Sequence, residues 1–145
     1  MQSLLNPDDY SALASFRYAM RKFLNFSRRA LAQAELTPEQ YEAMLALKAF
    51  AGPAGLTIGE VSERLQVRPH TAVALVAKLV DRGLLDRESG TTDRRQVFVR
   101  LSSQGDDILQ KVALIHRREM RERSSEMIEA LSRLQKPDDA TRNPG

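Results

Sequence analysis

The sequence predicts a mainly α fold with one β-hairpin: three short helices and the hairpin, carried between two long helices. Three observations predict it. Helix starts are marked at Leu5-Asn6-Pro7-Asp8-Asp9-Tyr10, Leu36-Thr37-Pro38-Glu39-Gln40-Tyr41 and Leu56-Thr57-Ile58-Gly59-Glu60-Val61. In each, a capping oxygen satisfies an orphan backbone N–H, an acid or amide follows three residues on, and a flanking apolar pair fixes the entry angle. Apolar residues then recur at three- and four-residue spacing over two long stretches near the ends of the chain. Finally, Val97, Val99 and Leu101 alternate with Gln96, Phe98 and Arg100, the period-two pattern of a strand.

The first helix is expected near 7–34, with Pro7 at its first position, where a missing N–H costs nothing. Its stripe is Tyr10, Leu13, Phe16, Met20, Phe23, Ser27 and Leu31. The last helix, near 103–134, repeats Ile108, Val112, Ile115, Met120, Met127, Leu131 and Leu134. Each is roughly 40 Å long at 1.5 Å per residue, more than a small core can cover. The surplus apolar surface is expected to meet the same surface on a second subunit; an antiparallel pair within one chain is the alternative. The charged run Arg117 to Arg123 offers Glu119–Arg123 and Arg118–Glu122 pairs, the pattern of a solvated helix face.

Between these come helices near 38–50, 58–65 and 69–82, with Gly52-Pro53-Ala54-Gly55 as a loop. Gly83 suits the left-handed cap that ends the third. Leu84 to Glu88 reads as the first hairpin strand, Ser89 to Arg94 as the tip and Gln96 to Leu101 as the return strand. The domain plan is therefore residues 1–36 as an N-terminal dimerisation helix, 37–102 as a helix-turn-helix with a hairpin, and 103–134 as a C-terminal dimerisation helix. Residues 135–145 have no periodicity and are expected to be a disordered tail.

Composition bounds the function. At 145 residues the chain is one domain, or one domain with added helices. Its formal net charge is +3 and its pI about 9.5, with no polybasic segment. Any nucleic-acid binding must come from placed arginines rather than bulk charge. Residues 57–101 hold eight Lys or Arg against six acids. The chain has no cysteine, which excludes disulfides and thiolate ligands. With only His70 and His116, neither a metal site nor a cofactor is expected. No apolar run reaches the roughly 20 residues of a membrane span, and the start lacks the form of a signal peptide. A soluble cytoplasmic protein is expected. A Gly-rich phosphate loop, a nucleophilic Cys, a Ser/His/acid set and a catalytic carboxylate pair are all missing, so an enzyme is not.

Residues 57–82 have the form of a helix-turn-helix. Ile58, Val61 and Leu65 of its first helix are expected inside, as are Val73, Val76, Ala77, Leu79 and Val80 of its second. Gln66-Val67-Arg68 is the turn and Pro69 the first residue of the second helix. In such a unit the second helix lies in the major groove, its N-terminal residues on base edges. His70 and Thr71 both donate and accept hydrogen bonds, and Thr71 and Ala72 suit a thymine methyl. Arg68 suits guanine or phosphate, and Ala74 and Lys78 lie further along the helix. The hairpin sharpens this reading. Asp93-Arg94-Arg95 puts two cations on a protruding tip, where an arginine can enter the adjacent minor groove. Asp93 cannot favour phosphate; it is expected to brace an arginine of its own chain, or to serve the turn.

From Leu36 to Leu134 these residues resemble the MarR family of winged-helix transcription regulators. Gly83-Leu84-Leu85-Asp86-Arg87 closes the recognition helix, and Asp93-Arg94-Arg95 is separated by five residues from Leu101-Ser102, with Gly105 beyond. The family pattern there is Asp-x-Arg, then Leu-Thr, then Gly; Ser102 replaces the Thr. The resemblance implies a homodimer held by the terminal helices and bound to a pseudo-palindromic operator in double-stranded DNA, with Arg95 as wing probe, Arg94 its neighbour and Asp93 the acid. Where many members carry a basic or polar residue this chain has Ala74, which leaves more of the readout to Arg68, His70 and Thr71. The family's small aromatic or phenolic ligands imply a pocket lined by Phe16, Arg17, Met20, Phe23, Phe50 and His116, against the alternative that these are core residues. A repressor is the expectation. The competing reading is a winged helix used for protein interaction, which an apolar exposed face over 68–78 would favour.

Overall fold

The computed structural model describes residues 4–136. In chain order they form α1 (Pro7–Gln33), α2 (Pro38–Phe50), β1 (Leu56–Thr57), α3 (Ile58–Leu65), α4 (Pro69–Asp81), β2 (Leu85–Ser89), β3 (Val97–Leu101) and α5 (Ser103–Leu134). Two compact units share these elements. One is residues 28–115; the other comprises the terminal segments up to Ser27 and from His116 onward. The segment expected to be a disordered tail lies outside the described residues from position 137 on, while Gln135 still donates to the Leu131 carbonyl.

In the 28–115 unit, the starts of α2 and α3 carry complete capping boxes. Thr37 Oγ1 accepts from the Gln40 N–H at 3.1 Å, and Gln40 Oε1 accepts from the Thr37 N–H at 3.0 Å. Thr57 and Glu60 repeat the exchange at 3.1 and 3.2 Å. Helices α2, α3 and α4 bury Met44, Leu47, Val61, Val76 and Leu79 in one core with Val99 of the sheet. Lys48, near the end of α2, holds Asp106 of α5 at 2.8 Å, which keeps that carboxyl below its ordinary range.

The sheet has the order β1-β3-β2 and is antiparallel throughout, with Leu56 opposite Val99, Leu85 opposite Leu101 and Ser89 opposite Val97. Its third strand was not expected, because Leu56 and Thr57 read only as the entry to α3. They serve both purposes, and two residues are too few to show an alternation. Arg100 ties the sheet to the preceding loop, donating to the Pro53 carbonyl at 2.9 Å and to Glu88 Oε2 at 2.6 Å.

The buried face of α4 differs from the expected one. Ala72, Val76 and Leu79 are buried, while Val73 is 51% exposed; Ala77 and Val80 are only half-buried. Positions 72, 76 and 79 and positions 73, 77 and 80 both keep helical spacing and both are apolar. Periodicity therefore cannot choose between them, and packing on α2, α3 and the sheet does. The α4–hairpin joint is close. Ser102 Oγ donates to the Gly83 carbonyl at 2.6 Å, the Ser102 N–H donates to the Leu84 carbonyl at 3.1 Å, and Gly105 packs directly on Leu84.

In the terminal unit, α1 begins with Asn6 and Asp9 capping each other's N–H at 2.9 and 3.0 Å. The chain pairs with itself here: Lys22 with Glu126 at 3.0 Å, Asp8 with Arg133 at 3.3 Å, and Ser27 with His116 at 2.8 Å. These pairings run in opposite directions along the two segments, so the antiparallel pair within one chain is realised. Its buried residues are Ala12, Ala19, Ser27, His116 and Ala130. Of the large members of the stripes, Tyr10, Leu13, Met120 and Leu131 are exposed, as are Leu24 and Ile128 outside them, while Phe16, Met20, Phe23 and Met127 are half-buried. The expected Glu119–Arg123 pair forms. Among the described residues, no helix is long and apolar enough to cross a membrane.

Candidate nucleic-acid interface

Of α2, α3 and α4, α4 alone begins without a side-chain cap. Its N-cap residue is Arg68, extended at φ −70° and ψ 149°, and Pro69 occupies the first helical position. Where Thr37 and Thr57 quench the positive ends of α2 and α3, nothing of the kind covers the end of α4. An open helix N-terminus attracts an anion through its free N–H groups and its dipole. Arg68, Pro69, His70 and Thr71 are all exposed around it. Thr71, Ala74 and Lys78 continue the exposed surface along one face at i, i+3 and i+7.

Ala72 is the exception among the expected recognition residues. It is 0% exposed, packed in the core beside Val76 and Leu79, and no base can reach it. The one-residue change in the buried stripe that exposes Val73 is what turns Ala72 inward. Val73 looks into a cleft of about 370 Å3 between α4 and the hairpin, lined also by Val76, Arg87, Ser89 and Val97. Arg87, exposed in β2 opposite Val99, is a cation that the sequence reading passed over. The strand alternation held the signal, since Leu85, Arg87 and Ser89 share one face.

The hairpin tip spans Gly90 to Gln96 and is closed by the Gly90 N–H donating to the Gln96 carbonyl at 2.8 Å. The first strand starts and ends one residue later than expected, at Leu85 and Ser89. Within the tip, Asp93 Oδ1 accepts from the Arg95 backbone N–H at 3.0 Å and from Arg95 Nε at 3.4 Å. It thus does both things expected of it, shaping the turn and bracing an arginine. The Arg95 side chain remains 94% exposed, and Arg94 is exposed beside it. Arg100, though exposed, is tied to Pro53 and Glu88; Arg87, Arg94 and Arg95 are the other exposed cations of the hairpin.

The six residues expected to line a ligand pocket fall in two units. Phe16, Arg17, Met20, Phe23 and His116 belong to the terminal unit, and Phe50 to the other. The Phe50 ring lies 3.7 Å from the Arg64 guanidinium carbon, a cation–π contact. His116 is buried, bonded to Ser27, with the Phe23 and Phe26 rings edge-on at 6.2 and 6.1 Å. Phe16 and Met20 are half-buried, and Arg17 is exposed.

Residues 34–96 match the model of the MarR family. Over 73 residues the chain is 33% identical to an uncharacterized HTH-type transcriptional regulator of Mycobacterium leprae, covering 50% of this chain and 51% of that protein. It is 30% identical over 71 residues to the HTH-type transcriptional repressor MdtR of Bacillus subtilis, covering 49% and 44%. The chain thus spans about half the length of the relatives it matches. The crystal structure of the S. aureus MepR–DNA complex superposes with a TM-score of 0.62 at 24% identity, over 90% of this chain and 87% of that one. At that identity the likeness is one of fold.

Proposed function

We propose that the chain, matched to the MarR family over residues 34–96, is a member of that family and a homodimeric regulator of transcription that binds a pseudo-palindromic operator. The observation that carries the reading is the uncapped start of α4, ringed by Arg68, His70 and Thr71, in the same unit as a hairpin tip on which Arg95, braced by Asp93, stays 94% exposed. The helix end and Arg68 suit phosphate or guanine, His70 and Thr71 suit base edges, and Arg95 suits a narrow minor groove. Ala74 and Val73 add little polarity, so discrimination concentrates on the first turn. Protein interaction is the weaker reading, because the exposed residues of that turn are Arg68, Pro69, His70 and Thr71 rather than an apolar patch.

The two-fold arrangement is supported by Tyr10, Leu13, Met120, Ile128 and Leu131, large apolar residues left exposed by the terminal pairing. A second copy is their natural cover, and two recognition helices about 34 Å apart would address half-sites one turn of the duplex apart. Repression is the proposed outcome, as in the relative named a repressor, and the cytoplasm the proposed compartment. An aromatic acid is the proposed release signal, with Arg17 between Phe16 and Met20 as its cation.

The test is a salt titration of binding to the chain's own upstream region and to a scrambled duplex. Tighter binding to the former at every salt concentration is expected; equal affinity throughout would sink the sequence-specific claim. Sedimentation should give a dimer that Leu131→Glu weakens. Titration of the DNA complex with substituted benzoates should release the duplex, and no release at millimolar concentrations would remove the ligand from the proposal.

A further inference from the structure

The recognition helix is held at its far end by two different joints. Helix α4 closes with the Leu84 N–H donating to the Leu79 carbonyl at 3.0 Å and the Gly83 N–H to the Val80 carbonyl at 2.9 Å. Gly83 is left-handed at φ 74°, so this is a Schellman end with Arg82 as its cap residue. Helix α1 closes in the same way. The Leu36 N–H donates to the Leu31 carbonyl at 3.0 Å and the Glu35 N–H to the Ala32 carbonyl at 3.1 Å, with Glu35 left-handed at φ 56°. A Schellman end satisfies the carbonyls two and three residues before its cap and leaves the cap and following carbonyls open. In α1 those are the carbonyls of Ala34 and Glu35, and Arg82 takes both: Nη1 donates to Glu35 at 2.5 Å and Nη2 lies 3.5 Å from the Ala34 carbonyl.

The other joint leads to α5 and has no slack. Ser102 Oγ donates to the Gly83 carbonyl and accepts the Gly105 N–H at 3.0 Å, while an added Cβ on Gly105 would sit 2.0 Å from the Leu84 carbonyl oxygen. So α4 is fixed to the start of α5 by close backbone packing. Leu31 and Leu36 share the apolar core with Leu79, and the polar tie between the end of α1 and α4 is one half-buried side chain, Arg82, whose planar fork spans two carbonyls.

We propose that Arg82 is a positioning residue, a latch that sets the tilt of the recognition helix about its fixed joint at Gly83–Leu84. It reaches the base edges only through α4. This inference rests on the DNA-binding reading above and deepens it, since it names what governs the pose of the same site. Loss of the latch lets α4 pivot, so that phosphate contacts persist while base-edge contacts lose register. The ammonium of lysine keeps the charge but cannot span both carbonyls, so Arg82→Lys releases the latch as Arg82→Met does.

The experiment measures both variants at temperatures where circular dichroism shows them fully folded. Amide hydrogen exchange should quicken at Glu35–Leu36, with Gly83–Leu84, β2 and β3 unchanged. Affinity for the selected duplex, the one from the chain's own upstream region, should fall about tenfold in both variants, with affinity for scrambled duplex and the slope of binding against salt unchanged. Quickened exchange with full affinity for the selected duplex would reduce Arg82 to a structural tie and overturn the proposal. Full activity in the lysine variant, with a slope lowered by about one charge in the methionine variant, would make Arg82 a phosphate contact and also overturn it. A wild-type chain that does not select among duplexes would refute the DNA-binding reading, a failure distinct from that of variants which select as well as the wild type.

Discussion

One substitution, made at two helix glycines, should change stability in opposite directions. Glycine inside a helix costs about 1 kcal/mol relative to alanine, so Gly→Ala is stabilising wherever a methyl group fits. At Gly59, near the start of α3, the nearest atom to an added Cβ is Thr57 Oγ1 at 3.9 Å, an ordinary contact. Gly59→Ala should therefore stabilise by up to about 1 kcal/mol. At Gly105, in the first turn of α5, the same Cβ would lie 2.0 Å from the Leu84 carbonyl oxygen and 2.9 Å from its carbon, both backbone atoms. Contact needs more than a further ångström, which must come from separating α5 and the end of α4. Overpacking of this kind costs about 1–3 kcal/mol or more and exceeds the propensity gain. The Leu84 carbonyl also accepts the Ser102 N–H, so that separation strains this bond too. Urea unfolding of the two variants beside the wild type measures both effects, as a change in midpoint at unchanged slope. A Gly105→Ala chain as stable as the Gly59→Ala chain would refute the packing argument at the α4–α5 joint.

Other outcomes follow from the interface and its support. Arg95→Ala should weaken binding to every duplex and lower the salt slope by about one, with little change in unfolding free energy, since an exposed Asp93–Arg95 pair contributes only about 0–1 kcal/mol. Thr71→Ala should cost roughly 1–3 kcal/mol at particular base pairs only, read by affinities for a set of single-site operator variants. Lys48→Met should lower the melting temperature in a pH-dependent way. The Asp106 carboxyl titrates below its unfolded value, so the contribution of the pair is present above about pH 4. It is lost as pH falls through the lower folded value, and the gap between wild type and variant should close there. A gap that persists unchanged at pH 2 would show that Lys48 acts through packing instead.

The features readable in the sequence are those with local causes. The starts at Asn6, Thr37 and Thr57 are visible because a capping side chain and the acid or amide three residues on are adjacent in the chain. The return strand is visible because alternation over Gln96 to Leu101 needs no partner to be recognised. The wing acid and arginine are visible as neighbours, and the structure joins Asp93 to Arg95 within the same turn. The face that α4 turns inward is not local. Its two apolar stripes are equivalent until α2, α3 and the sheet surround them, and that packing buries Ala72 and leaves Val73 facing the cleft.

The same division holds for the strand at Leu56–Thr57, whose only evidence is its partner Val99 more than forty residues on. It holds for the arginines as well. In sequence, Arg82, Arg87, Arg95 and Arg100 are four equal positive charges. The folded chain gives Arg100 to Pro53 and Glu88, gives Arg82 to the end of α1, and leaves Arg87 and Arg95 facing solvent. By itself the sequence determined where helices begin, which segment forms the wing and which chemical groups are on hand, because caps, turns and periodicity act over a few residues. Only the tertiary structure decided which of those groups are free to meet a ligand, because that depends on carbonyls and carboxylates brought together from distant parts of the chain.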